Sequence, residues 1–191
     1  LFVVNGANLV DGFNGLLAIY LLLINSIFLL ININNQNDNI SIILFGQIII
    51  ILSFLIFNFP KAKIFLGDSG SYLLGSLIVL NTIKTYELNP HVSPFFFAGV
   101  LFYLFYEVFF SFIRKAASKK SPLYPDNLHL HMLLYKCVSG SKKKESSNYL
   151  TSILINSSYL FLQIPLFYFQ NHGLISRYWF FSLIILYTII Y

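Results

Sequence analysis

Apolar positions in this chain gather into six long runs separated by short polar islands. The runs are Leu16–Ile33, Ile40–Phe57, Tyr72–Tyr86, Pro94–Ile113, Leu150–Phe169 and Tyr178–Tyr191. A helix needs about 20 apolar residues to cross roughly 30 Å of hydrocarbon, and several runs approach that length. A soluble core can account for one such run but not for six. The pattern predicts an all-α, polytopic transmembrane helix bundle of about six spans. Leu1–Val4 reads as the tail of one more span. Residues 1–191 form one transmembrane domain in this reading, with no internal repeat and no solvent-facing folded domain.

The polar islands carry the next signal. They are NGANLVDGFNG (Asn5–Gly15), FPKAKIFLGDSGS (Phe59–Ser71) and RKAASKKSPLYPDNLHLH (Arg114–His131). Two apolar runs separate the first island from the second, and two more separate the second from the third. An even number of crossings returns the chain to its starting side. Asp11, Asp68, Asp126, His129 and His131 are therefore expected at one membrane face. Gly12 and Gly15 permit a break in the backbone there, and Pro60 prevents a continuous helix. Ser69 and Ser71 are suited to cap the following span. Asp126 is suited to cap a short interfacial helix over NLHLHMLLYK.

Composition sharpens this picture. Of 191 residues, 57% are hydrophobic and only 10% are charged, against roughly 25% charged in ordinary globular domains. The net charge is +5, and its placement is more telling than its size. Lys61, Lys63, Arg114, Lys115, Lys119, Lys120, Lys136, Lys142, Lys143 and Lys144 fall on the side of the three islands. Only Lys84 and Arg177 fall on the other. Short loops rich in Lys and Arg stay in the cytoplasm, so the islands are predicted to be cytoplasmic loops of a multi-pass protein of the inner membrane. The charges flank spans and do not form a soluble basic face, which argues against nucleic acid as a partner. A single cysteine, Cys137, excludes an internal disulfide and a cysteine-built metal site. The chain opens on Leu1 without a signal-peptide pattern. The expectation is a C-terminal portion of a longer protein.

Ionisable groups in membrane segments are costly and often functional. On a helix, Asn5, Asn8 and Asp11 share one face at i, i+3 spacing. Two amides and a carboxylate so placed can hold a hard cation or a polar ligand; the plainer reading is a helix-ending turn. Asp68 begins a second polar turn at a helix start, where unpaired N–H groups suit phosphate. Mg2+ takes one or two protein carboxylates together with phosphate oxygens; simple capping is the plainer alternative. His129 and His131 can donate to phosphate oxygens or move protons. On an ideal helix they lie about 200° apart, so they share a ligand only where the backbone is extended or turning. Glu107, inside a span, is expected to face the bundle and meet an Arg, an amide or the site. Lys61 and Lys63 are expected to be membrane anchors, and the Lys142–Glu145 run a solvated one.

Taken together, these residues resemble the polyprenyl-phosphate N-acetylhexosamine-1-phosphate transferases. The family's first motif, roughly N-A-x-N-x-x-D-G-x-D-G-L, is matched by Asn5–Leu16. Its second, roughly P-x-K-x-F-M-G-D-x-G-S-x-x-L-G, is matched by Pro60–Gly75. A third, D-T-L-x-V-I-x-R-R followed by S-P-F-x-P-D-R-x-H-x-H-H, aligns with Glu107–Lys115 and Ser121–Met132. The three motifs occur in order across most of the chain.

The resemblance implies transfer of a sugar-1-phosphate from a UDP-N-acetylhexosamine to a polyprenyl phosphate, such as undecaprenyl phosphate, with release of UMP. That step initiates a cell-envelope polysaccharide. It implies Mg2+, or Mn2+, held by Asn8 and Asp68. It implies catalytic roles for Asp11, Asp68, His129 and His131, with the histidines on the diphosphate. Asn5, Asn8, Gly12, Phe13, Asn14 and Phe65 are the implied substrate-binding residues, with Gly12, Phe13 and Phe65 near the uracil. A homodimer is compatible with it. Asn14 stands where many members have Asp, Glu107 replaces Asp, Asn127 replaces Arg and Met132 replaces the last His. The family's adjacent Asp–Asp pair belongs to an earlier loop outside this chain, so the isolated polypeptide is expected to be inactive. The competing classes are a secondary transporter with a midplane polar site and a non-catalytic membrane subunit.

Overall fold

The apolar runs fold as helices throughout. A computed structural model describes residues 1–119, 121, 126–140 and 144–191, and within them there are nine helices and no strand. Lys120, Lys142 and Lys143 of the basic set, and the 122–125 part of the third island, lie outside the described residues.

The first helix, α1 (Phe2–Val10), ends at the NGANLVDGFNG island. The turn closes at Gly15, whose φ of 73° belongs to the left-handed region where glycine is unstrained. A side chain there would also strike the Phe59 ring. Then follow α2 (Leu16–Asn34), α3 (Asp38–Asn58) and α4 (Gly67–Leu88). The short α5 (Pro94–Val100) and α6 (Phe102–Ala117) come next, then α7 (Leu130–Ser139), α8 (Lys144–Tyr168) and α9 (Gly173–Ile190).

Four stretches are long and apolar enough to cross a membrane: Leu16–Asn34, Asp38–Asn58, Ser146–Tyr168 and Gly173–Ile190. The protein is a polytopic membrane helix bundle. Two expected spans differ from the prediction. Pro94–Ile113 is not one straight helix: α5 and α6 meet at Leu101 with a bend of 73°, and the pair counts as a fifth span only when taken together. A bend inside an apolar layer exposes carbonyls that must find donors. Here Val100 O accepts from the hydroxyls of both Tyr20 (3.1 Å) and Tyr159 (3.0 Å), and Gly99 O from Gln163 Nε2 (3.4 Å).

The second difference is α4, which has 22 residues but carries Asp68, Lys84 and Glu87 and misses the same apolar measure. It nevertheless runs beside α1 and α2 from end to end. Asn8 Nδ2 reaches Ser71 Oγ at one end (3.0 Å), Asn81 Nδ2 reaches Asn25 Oδ1 midway (3.0 Å), and Asn32 Nδ2 reaches Thr85 Oγ1 at the other (3.0 Å). Helices in an apolar solvent associate through such hydrogen bonds and through small residues. Gly75 supplies the latter, lying so close to Ala7 that an added Cβ would be 2.7 Å from the alanine's.

Both expected caps are corrected. The fourth helix starts at Gly67, so Ser69 lies in its first turn, Ser71 just after it, and Leu66 occupies the cap position. The Ser71 hydroxyl donates back to Asp68 O at 3.1 Å. Asp126 does not cap α7; its Oδ1 accepts from Leu128 N at 3.2 Å, and His129 is the cap residue.

Candidate active site

The end of α1, the start of α4 and the start of α7 meet at one face of the bundle, and each places a different chemical group there. Asn8 donates from Nδ2 to Asp68 Oδ1 at 2.9 Å, joining residues sixty positions apart. Asp11 follows α1 directly. Its carboxyl is pushed up to about 6, first by burial and then by the nearby charge of Asp68. The Asp68 charge opposes ionisation of Asp11, and that is the electrostatic condition that a bound cation relieves.

The loops under this acidic pair are tied down by side-chain amides. Gly15 N donates to Asn58 Oδ1 at 2.7 Å, and Asn58 Nδ2 donates to Ile64 O at 2.8 Å. Asn14 donates from its backbone to Asn148 Oδ1 (2.8 Å) and from Nδ2 to Pro60 O (2.9 Å). The Asn14 side chain therefore stitches two loops together.

The histidines come from the third island. His129 is extended (φ −85°, ψ 149°) and α7 begins only at Leu130. That one extended residue brings the two rings to the same side, where they stack with centroids 5.6 Å apart and planes 5° from parallel. His131 Nδ1 sits 3.2 Å from the Tyr103 hydroxyl. Its Nε2 faces Gly12, at 3.8 Å from where a Cβ would stand. Burial is the largest influence on the His131 ring and lowers its pKa to about 4; Glu107 opposes this and His129 adds to it.

His129 is held between two carboxylates. Its Nδ1 is 3.0 Å from Glu107 Oε1, and its Nε2 is 3.5 Å from Asp126 Oδ1. Asp126 in turn receives Arg114 at 2.8 Å and has Lys115 at 3.9 Å. Burial alone would raise the Asp126 carboxyl, but the Arg114 hydrogen bond, the Leu128 amide and the two cations hold it below the usual range. Glu107 meets the site and not Arg114.

The expected site residues thus divide. Asn8, Asp68, Asp11, Gly12, His129 and His131 are gathered. Phe13 joins them, edge-on to His131 at 5.8 Å and tilted over Tyr135 at 5.1 Å. Asn5 lies on the exposed face of α1, one turn before Asn8, and Phe65 is 75% exposed in the loop ahead of α4. Tyr103 and Tyr187 were not foreseen. Tyr103 stands four residues before Glu107, so a shared helix face was the available signal; Tyr187, eighty residues beyond Glu107, had none.

Among the described residues, no three His, Cys, Asp or Glu side chains form a metal-binding group. The donors at hand are the Asp68 carboxylate and the Asn8 amide, with Asp11 nearby. That set fits Mg2+, which keeps most of its shell for water and substrate phosphates.

Fold and site define a multi-pass membrane protein with acidic and imidazole groups converging at one membrane face. Residues 1–86 match the model of glycosyl transferase family 4. It is 36% identical over 129 residues to the undecaprenyl-phosphate alpha-N-acetylglucosaminyl 1-phosphate transferase of Thermotoga maritima, covering 68% of this chain and 38% of the relative. It is 30% identical over 152 residues to the decaprenyl-phosphate N-acetylglucosaminephosphotransferase of Mycobacterium leprae (68% and 37%). It is 42% identical over 79 residues to the phospho-N-acetylmuramoyl-pentapeptide-transferase of Leuconostoc citreum (41% and 25%). The chain thus spans well under half the length of these relatives.

Proposed function

We propose that this chain contributes the nucleotide-sugar and metal side of an enzyme that transfers N-acetylhexosamine-1-phosphate from a UDP-sugar to a polyprenyl phosphate, releasing UMP. The observation that carries the reading is the convergence of Asn8–Asp68, the raised carboxyl of Asp11 and the Nε2 of His131 on one face. The three site islands are cytoplasmic loops of an inner-membrane protein in this reading, which their excess of Lys and Arg supports.

Asp68 and the amide oxygen of Asn8 would hold Mg2+, whose chemistry is to neutralise the diphosphate. The residues of the chain do the rest. Asp11 orients the nucleotide-sugar or handles the proton of the attacking lipid phosphate. With Tyr103 donating to Nδ1, the neutral His131 ring carries its proton on Nε2 and presents it to a phosphate oxygen. Donors aimed at developing charge are the main resource in phosphoryl transfer, where positioning and electrostatics dominate. Gly12 leaves the space in front of His131 open. Phe13, seated against His131 and Tyr135, offers an aromatic surface to the uracil. Initiation of a cell-envelope polysaccharide is the biological step this chemistry serves.

A transporter is the weaker reading. The polar groups at mid-depth, Asn25, Asn81 and Gln47, hydrogen-bond one another, which suits helix packing better than a solute site.

The test is direct. Membranes containing the full-length protein, given Mg2+, UDP-N-acetylglucosamine and undecaprenyl phosphate, are expected to form a lipid-linked sugar diphosphate and UMP in equal amounts. UDP as the released nucleotide, or no lipid product with any UDP-N-acetylhexosamine, would refute the reading.

A further inference from the structure

Glu107 is the most deeply buried ionisable side chain at the site, at 1% exposure, and it does not face the acidic island. Each of its oxygens is engaged. Oε1 lies 3.0 Å from His129 Nδ1 and accepts from Leu130 N at 3.2 Å; Oε2 accepts from the Tyr187 hydroxyl at 2.6 Å. A carboxylate inside an apolar bundle is tolerated where donors surround it. Here the donors come from two other helices, α7 and α9, and one of them is the first amide of α7.

We infer that Glu107 is the positioning residue of the histidine pair, fixing at once the tautomer of His129 and the point at which α7 begins. Two consequences of one contact support this. Of the two carboxylates beside the ring, Glu107 hydrogen-bonds Nδ1 at 3.0 Å while Asp126 stays 3.5 Å from Nε2, so the proton of a neutral ring is kept on Nδ1, as partners of the unused nitrogen do in other imidazole sites. The same oxygen caps Leu130 N, an amide that no side chain of α7 itself satisfies. Starting the helix at Leu130 leaves His129 extended, and that residue's extension is what stacks its ring on His131. Through this stack Glu107 sets where His131 Nε2 points, although it touches neither Gly12 nor the acidic pair. Tyr187 locks the second oxygen, so the carboxylate cannot rotate away.

The role in turnover rests on the transferase reading above; the tautomer does not. The experiment therefore has two arms on the full-length protein. In the first, 15N-histidine NMR compares wild type with Glu107→Gln. The expected result is a His129 ring protonated at Nδ1 in the wild type and a mixed or reversed tautomer in the variant. An unchanged His129 signal overturns the inference whatever the enzyme does. In the second, Glu107→Gln is expected to lower kcat about 10- to 100-fold, the scale of losing an orienting partner, with the KM for the UDP-sugar unchanged. Glu107→Asp, which keeps the charge, is expected to recover part of that rate. Equal kcat in wild type and Glu107→Gln overturns the inference. Absence of transfer by the wild type overturns the functional reading and leaves the NMR arm standing. Should Glu107→Gln fail to fold, Tyr187→Phe removes one donor and leaves the His129 contact. It is expected to keep the Nδ1 tautomer with a loss of rate under 10-fold, and a lost tautomer there would count against Glu107 as its cause.

Discussion

Asn8 and Asp68 lie 2.9 Å apart, amide nitrogen to carboxylate oxygen, although a complete pair of helices separates them in the chain. Such a contact fixes the end of α1 against the start of α4 and makes a small polar step out of two helix termini. Asp68 itself remains exposed, so its carboxylate is presented to ligands and is not consumed by packing. Asp68→Asn preserves the shape and can still accept the Asn8 hydrogen bond, but removes the charge. It is expected to abolish Mg2+-dependent transfer in the full-length protein while leaving membrane insertion and thermal stability intact. Turnover above a tenth of wild type, measured as UMP release, would take Asp68 out of the metal role.

Asp11 yields a prediction in pH. Its carboxyl is raised to about 6 in the folded protein, while in an unfolded chain it titrates near the ordinary value of about 3.9. Between those values the folded state binds more protons than the unfolded one, so stability falls as pH rises through that window. Below it both states are protonated, and above it the loss is complete. In metal-free detergent solution, Asp11→Asn is expected to lose less stability than wild type between pH 4 and pH 6. Added Mg2+ is expected to narrow the gap by offsetting the Asp11–Asp68 repulsion. Parallel melting curves for both proteins across that range would disprove the coupling.

How much of this was legible in the sequence depends on the range of the forces involved. The spans were, because burial in hydrocarbon acts on each run separately and Leu16–Ile33 or Ile40–Phe57 declares its length outright. The gathering of Asp11, Asp68 and the histidines was also legible, since it follows from counting crossings. The bend at Leu101 was not. It depends on Tyr20, Tyr159 and Gln163 arriving from two other helices to satisfy the carbonyls of Gly99 and Val100. The histidine pair shows the same limit. Helical spacing alone sends His129 and His131 apart; α7 starts late enough to bring them together, with Leu130 N held by Glu107 from another helix.

Packing between α1 and α6 rests on one glycine. A Cβ on Gly6 would overlap the carbonyl oxygen of Leu104, so the two backbones touch at that point. Neither backbone can yield without shifting its helix. Overpacking of this kind typically costs about 1–3 kcal/mol, sometimes more. Gly6→Ala is expected to destabilise the protein by at least that amount and to displace α6, which carries Glu107. Thermal unfolding in detergent is the measurement, and a melting temperature equal to wild type would show that the helices are not in backbone contact.

Gly12 makes the opposite case, a glycine whose replacement is expected to affect function and not folding. A Cβ there would meet only the His131 ring, at 3.8 Å from Nε2, which is ordinary contact. Gly12→Ala is therefore expected to change stability by less than about 0.5 kcal/mol, the range of substitutions that disturb no packed feature. The added methyl still narrows the space between the acidic island and the imidazole, and Gly12→Leu fills it. Because that space is where the diphosphate would lie, transfer is expected to fall modestly in Gly12→Ala and by at least about 10-fold in Gly12→Leu, since a reacting group displaced by an ångström can lose far more. Both variants should insert and melt as wild type does. Full kcat/KM in Gly12→Leu would mean the diphosphate passes elsewhere, and the face of His131 toward Gly12 would then have no part in the reaction.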